Sequence, residues 1–453
     1  MKPHSLLIGL LVAGCTAVGP DYQRPDVALE TRFSGGNAEA IGAVAQQRWW
    51  RDYNDATLSR LVTRGLAQNL DVMAATEAIR EAQANLRKTG VNSALDGSLS
   101  GAATVAGSDV SDSTSSTESG ELGASMVIDL FGGIRREREA ASASLTAARA
   151  DAETVRLAWL AELLAAYADA RYYQQVLALT RDTISSRQET VDITRTQLDA
   201  GAATEYEVAE AQALLSTARA SLPQYAALFD ANVYAIATLL NEPADPIMAL
   251  MQKGAPQLSA PGAAATGVPA DLLRNRPDVR SAEADLAAAV ALVGVAEAAL
   301  YPSLSLSGSV GRSEGNDSWS FGPQVSLPVF NRGQLRASRD AEISGAKQAE
   351  IAWRGAVASA VQDVQVAQSN LSRYRQRAAL LATAASDYSR ALTLAQQNYR
   401  SGAITLLDLL ETDRNAASAK ITAASASNDA AQAWATLKIA TGAGAAATGQ
   451  TGG

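Results

Sequence analysis

The sequence predicts a mixed, mainly α chain built from two copies of one helix-and-hairpin unit. Three observations carry this: an internal repeat, two long proline-free helical stretches, and four short stretches in which apolar and polar residues alternate. The repeat is plainest where the run from Leu198 to Glu210 aligns with the run from Tyr399 to Glu411 at a constant offset. Gly201 pairs with Gly402, Thr204 with Thr405, Glu207 with Asp408, and Glu210 with Glu411. Upstream, Asn69 to Val72 echoes Arg276 to Val279. A period this long excludes a solenoid and fits two copies of one large unit.

At the start, residues 1–14 read as a signal peptide: Lys2, the apolar run Leu6 to Val12, then small residues. The run is too short to span a bilayer, which needs ~20 apolar residues. Val12 to Cys15 resembles a bacterial lipobox, with Cys15 as the acylated residue. The Thr16 that follows is not the Asp usual in lipoproteins kept in the inner membrane. An ordinary cleavage site beside a chance cysteine is the alternative.

Cys15 is the single cysteine and His4 the single histidine. A mature chain without His or free thiol cannot build His-dependent catalysis, structural zinc or a disulfide. No phosphate loop or dinucleotide fingerprint supports another enzyme class. The reading is therefore no enzyme, no cofactor and no metal. A net charge of −9 argues against nucleic acid as a partner.

The helical stretches run without proline from Arg135 to Ala200 and from Arg336 to Arg400. At 1.5 Å per residue each makes a rod of ~100 Å. Leu157, Leu160, Leu164 and Tyr167 keep coiled-coil spacing, as do Val357, Val361, Val364, Gln368 and Leu371. Ala and Ser between those positions allow close helix approach, as in a helical wall. Gly201 and Gly402 are C-cap residues; Thr204 and Thr405 are good N-caps for the helices that follow. Each half thus contains a long antiparallel hairpin with a Gly-Ala-x-Thr tip turn.

The alternating stretches cover about residues 95–106, 120–131, 302–312 and 319–330, with polar loops Gly107 to Ser119 and Ser313 to Ser318. One face is apolar and the other small and polar, which suits transmembrane barrel strands. A soluble antiparallel sheet with one wet face is the alternative. Four strands cannot close a membrane barrel, since single-chain barrels begin at about eight. Two chains would supply eight strands and three would supply twelve. Three are favoured, because a conduit needs the wider barrel. Pro243, Pro246, Pro256, Pro261 and Pro269 mark residues 241–270 as an irregular linker, and residues 441–453 read as a flexible tail.

These residues together resemble a known family. The matching pieces are Cys15 to Pro25, Trp49-Trp50 with Leu58 and Leu61-Val62, and Leu273 to Arg280 with Ala282-Glu283. Tyr301 to Gly308, Pro328 to Phe330 and Tyr399 to Asp413 complete them. In that order they resemble the TolC-like outer-membrane factor family, and within it the NodT/OprM branch of RND efflux outer-membrane lipoproteins. The resemblance implies a trimeric channel: a shared twelve-stranded transmembrane β-barrel, four strands per chain, above a long periplasmic α-helical barrel. It implies a homotrimer, a periplasmic adaptor (membrane fusion protein), an inner-membrane RND pump and outer-membrane lipid as partners, with a covalent lipid on Cys15. The domain reading becomes an acylated and equatorial segment at 15–55, a first repeat at 56–240 and a second at 271–440.

By the same resemblance the second hairpin lines a periplasmic aperture. Asp408 and Glu411 would form stacked acidic rings across three chains, attracting cations and narrowing the pore. Leu406 and Leu407 would add an apolar constriction. Tyr399 matches a family tyrosine that ties the inner hairpin to its neighbour, and Glu207 matches the acidic partner position of the outer one. Ile404 stands where the family's best-known member has a basic residue. The bland alternative is that these acids only complement helix dipoles. Trp49 and Trp50 are read as packing anchors, and Arg274, Arg276 and Asp278 as a helix start with Pro277 at its first position. An open porin or protein-secretion duct and a structural envelope lipoprotein remain as other functions.

Overall fold

The computed structural model describes residues 17–446 except 35, 37, 38, 111 and 112. Cys15 and the signal peptide lie outside the described residues. The helices are α1 (Ala56–Gln68), α2 (Leu70–Lys88), α3 (Val91–Ala94), α4 (Gly133–Asp199), α5 (Glu205–Leu239), α6 (Ala244–Met251), α7 (Pro269–Asn275), α8 (Pro277–Ala298), α9 (Arg332–Arg400) and α10 (Leu406–Ala440). The strands are β1 (Leu95–Ser108), β2 (Ser113–Ile128), β3 (Ser303–Ser313) and β4 (Asn316–Ser326). The described residues divide into two compact units: residues 17–28, 75–152 and 278–357, and residues 29–74, 153–277 and 358–446.

The first unit holds one antiparallel sheet in the order β1-β2-β3-β4. Its register sorts most side chains by face, with Val127 among the serines and Glu118, Arg312 and Asp317 at the loop end of the apolar side. Leu99, Leu122, Val310 and Trp319 form one row across all four strands, and Leu95, Met126, Leu306 and Pro323 form another. Offset by one residue, Ser98, Gly123, Ser309 and Ser320 make a row on the opposite face. A soluble sheet buries its apolar face. Here that face lies open: Leu99 is 81% exposed and Trp319 80%. The β3–β4 turn is two residues, Glu314 and Gly315, both at positive φ (50° and 82°), the twist that closes a tight hairpin.

The strand boundaries differ from the sequence reading, most at the start of β2 and the end of β4. β2 begins at Ser113, within the stretch read as loop, because Ser113 to Ser119 carries no apolar alternation and is held by pairing to β1. β4 ends at Ser326 instead of residue 330, because Pro328 cannot donate to a ladder. Beneath the sheet, residues 17–24 form a fastened strap. Val18 donates to the Phe131 carbonyl at 3.0 Å, and buried Arg136 donates to the Gly19 carbonyl and to Asp21. Gly19, at φ +84°, lies so close that a Cβ would come within 2.5 Å of the Gly294 Cα.

In the second unit the helical stripe is buried: Leu157, Leu160, Leu164 and Tyr167 all pack inside. Trp49 and Trp50 pack edge-on, Trp49 also against Trp434, and Trp49 donates to the Ala443 carbonyl. That bond corrects the flexible-tail reading. Residues 441–446 are pinned, since Gly444 and Ala446 donate to the carbonyls of Val44 and Ala45, and Ala443 and Ala445 are buried. The linker is likewise more ordered than its prolines suggested. α6 forms inside it because Pro243 and Pro246 fall at the helix start, where a missing N–H costs nothing, while Ile247 and Met251 bury one face.

Candidate functional site: the hairpin tips

The two tips are built by the same local chemistry. α4 and α9 both end in a Schellman turn. Gly201 donates to Leu198 and Ala202 to Gln197; Gly402 donates to Tyr399 and Ala403 to Asn398. Both glycines sit at φ +72°, which an L side chain adopts only with strain. α5 and α10 then start with matching capping boxes. Thr204 Oγ1 accepts from the Glu207 N–H while the Glu207 carboxylate accepts from the Thr204 N–H at 2.7 Å. Thr405 Oγ1 accepts from the Asp408 N–H, and Asp408 accepts from the Thr405 N–H at 3.1 Å.

Asp408 therefore has local work as a cap, and so does Glu207. The Thr405 hydroxyl first, and its backbone N–H second, hold the Asp408 carboxyl below the usual aspartate range. Leu407, Asp408 and Glu411 are all exposed on α10, whereas Leu406, Leu409 and Leu410 are buried. The expected Leu406–Leu407 pair is thus split, and Leu407 alone faces outward. Ile404 packs against the buried cluster of Val191, Leu215, Tyr399 and Leu409.

Tyr399 is 4% exposed, and its hydroxyl meets Thr194 Oγ1 at 3.0 Å. Glu207 contributes to Tyr399 through its charge instead of a hydrogen bond: burial pushes the phenol up, Thr194 opposes the rise, and Glu207 adds to it. Within this chain the tyrosine ties α9 to α4.

The sequence reading missed two residues here. Arg187 on α4 and Asp413 on α10 form a buried ion pair at 2.6 Å, and Arg187 also donates to the Leu214 carbonyl of α5 at 3.1 Å. Burial raises the Asp413 carboxyl, and the Arg187 guanidinium opposes that rise. The signal was present: Ile184, Arg187, Val191 and Thr194 keep the 3, 4, 3 spacing of the apolar stripe. A charge on a buried stripe requires a partner.

The family model for outer membrane efflux proteins matches residues 61–242 and 268–443. The chain belongs to the outer membrane efflux protein family. This efflux protein is 37% identical over 448 residues to nodulation protein T of Rhizobium leguminosarum bv. trifolii, covering 96% of each. It is 30% identical to the solvent efflux pump outer membrane protein SrpC of Pseudomonas putida, over 89% of this chain and 90% of that one. Among solved structures it resembles the outer-membrane channel OprN, with a TM-score of 0.83 and 29% identity over 94% of this chain and 99% of that chain. It also resembles the open-state MtrE outer-membrane channel of Neisseria gonorrhoeae, with a TM-score of 0.82 and 26% identity over 95% and 98%. The efflux protein has the TolC-like fold and is an outer-membrane protein, as its sequence resemblance implied.

Proposed function

We propose that this chain, as a homotrimer, is the gated, passive exit duct of a tripartite efflux system, with its periplasmic gate at the α9–α10 tip. Three four-stranded sheets close one barrel in the outer membrane. A periplasmic adaptor and an inner-membrane RND pump deliver small molecules, and the pump supplies the energy. The observation that carries the duct is the sorted sheet. One face is apolar and open, the other is hydroxyl-lined, and β1 and β4 are edges that no described strand covers. In lipid, open edges leave backbone groups unpaired at several kcal/mol each, so copies must join edge to edge.

Leu407 and Glu411, both exposed beside the tip core, support the gate. Glu411 adds a charge free of capping duty, while Asp408 serves both the cap and the aperture. The strap at residues 17–24, fastened near the foot of β2, supports an anchor on Cys15 that enters the membrane beside the barrel. Deleting the gene should raise cellular accumulation of a fluorescent efflux dye, and the wild-type gene should reverse this. Unchanged accumulation across a panel of dyes, solvents and metals would contradict the efflux role. Labelled palmitate should enter the wild-type protein and not Cys15→Ser.

A further inference from the structure

Among the described residues, Arg187 is the one guanidinium at the tips that reaches three helices: its own α4, α5 through the Leu214 carbonyl, and α10 through Asp413. The neighbouring ties from α4 go to α9, through Thr194 to Tyr399 at 3.0 Å, Ser186 to Gln396 at 2.9 Å and Glu189 to Arg400, or to α5, through Arg195 to Gln212 and Gln188 to Arg219. The aperture face lies on α10, so the Arg187–Asp413 pair is the polar tie that bears on it directly. Asp413 follows Glu411 by two residues. At about 100° per residue it lies on nearly the opposite side of the helix. Holding Asp413 inward therefore turns Glu411 outward.

The pair breaks the internal symmetry. By the repeat alignment, Arg187 corresponds to Tyr388 and Asp413 to Gln212. Gln212 takes an exposed hydrogen bond from Arg195 at 3.3 Å. Only the inner hairpin's return helix carries the buried charge. Apolar packing, as at Leu409 and Leu410, tolerates small rotations. A charge pair with both partners more than 90% buried does not, because moving one charge leaves the other unpaired in the interior.

We infer that Arg187 and Asp413 are positioning residues for the aperture: their ion pair fixes the rotation of α10 that presents Leu407, Asp408 and Glu411 in the closed duct. This rests on the gate proposed above. The closed tip holds as long as the pair does, and opening requires the pair to part or the four tip helices to move together.

The test is single-channel recording of the purified full-length protein in planar bilayers, with melting temperature and oligomer size measured in parallel. Asp413→Asn should raise open probability at least ten-fold, and Asp413→Glu, which keeps the charge, should restore most of the closure. Arg187→Met/Asp413→Leu refills the core with apolar side chains, a replacement that often leaves folds as stable as before. It should melt as the wild type does and still conduct more. If Asp413→Asn and the double variant stay closed while Asp408→Ala/Glu411→Ala opens the pore, the brace is wrong and the gate stands. Wild-type protein that is already open, and unchanged in every variant, would overturn both.

Discussion

Asp408 and Glu411 carry the same charge and do different work. Asp408 is bound into the α10 cap, and its carboxyl is held below the ordinary 3.8 by Thr405. A carboxylate with a depressed folded value stabilises the cap above its unfolded value and loses that contribution as pH falls through the folded one. The Asp408 step in cation selectivity should therefore occur below pH 3.8 and move back up in Thr405→Ala, read from reversal potentials across pH. A step that does not move would contradict the cap's control. Thr405→Ala should also cost about 1 kcal/mol through the lost N-cap. Glu411→Ala should weaken selectivity without changing the melting temperature. The carboxylates, glycines and threonines of the tips were legible because the repeat displays each twice. Thr194 as the partner of Tyr399 was not, because pairing across helices depends on rotation about each axis, which spacing alone leaves open.

At the scale of elements, glycine has two separate roles that melting experiments distinguish. At Gly201 and Gly402 an added Cβ meets nothing within 4 Å, so Ala there costs only the left-handed backbone, about 1–2 kcal/mol. At Gly65 in α1 a Cβ would lie 2.2 Å from the Trp159 ring, so Gly65→Ala should act by overpacking, at about 1–3 kcal/mol. Another buried arginine shows how irregular segments are held. Arg171, 1% exposed, donates to the carbonyls of Met251 and Lys253 at the end of α6 and stacks on Tyr167. Arg171→Met should destabilise the protein by about 1–3 kcal/mol through loss of its charge-assisted hydrogen bonds to Met251, Lys253 and Gln174. The long helices could be read from their 3, 4 spacing. α6 could not, because two helical turns after a proline look like linker until Ile247 and Met251 find a surface. The first half of β2 was hidden for a related reason: its serines and threonines become strand only through pairing.

For the whole molecule, composition set the exclusions and the sheet sets the requirement. Without histidine or a free thiol beyond residue 15 the chain cannot build His- or Cys-dependent sites, and its charge disfavours nucleic acid. A sheet with an open apolar face and two open edges calls for lipid on one side and further copies along the edges. Serine hydroxyls on the other face, such as the Ser309–Ser320 contact at 3.1 Å, suit a wet and unselective lumen. In the duct proposed above, cargo choice belongs to the pump. The proposed duct is closed at rest at the second hairpin tip. Single-channel conductance of the wild type beside Asp408→Ala/Glu411→Ala tests it most directly. A duct closed at rest gives small, mostly closed wild-type currents that rise at least ten-fold in the variant. Large constitutive wild-type conductance, unchanged in the variant, would contradict it and leave the acids as helix-end charges of an open pore.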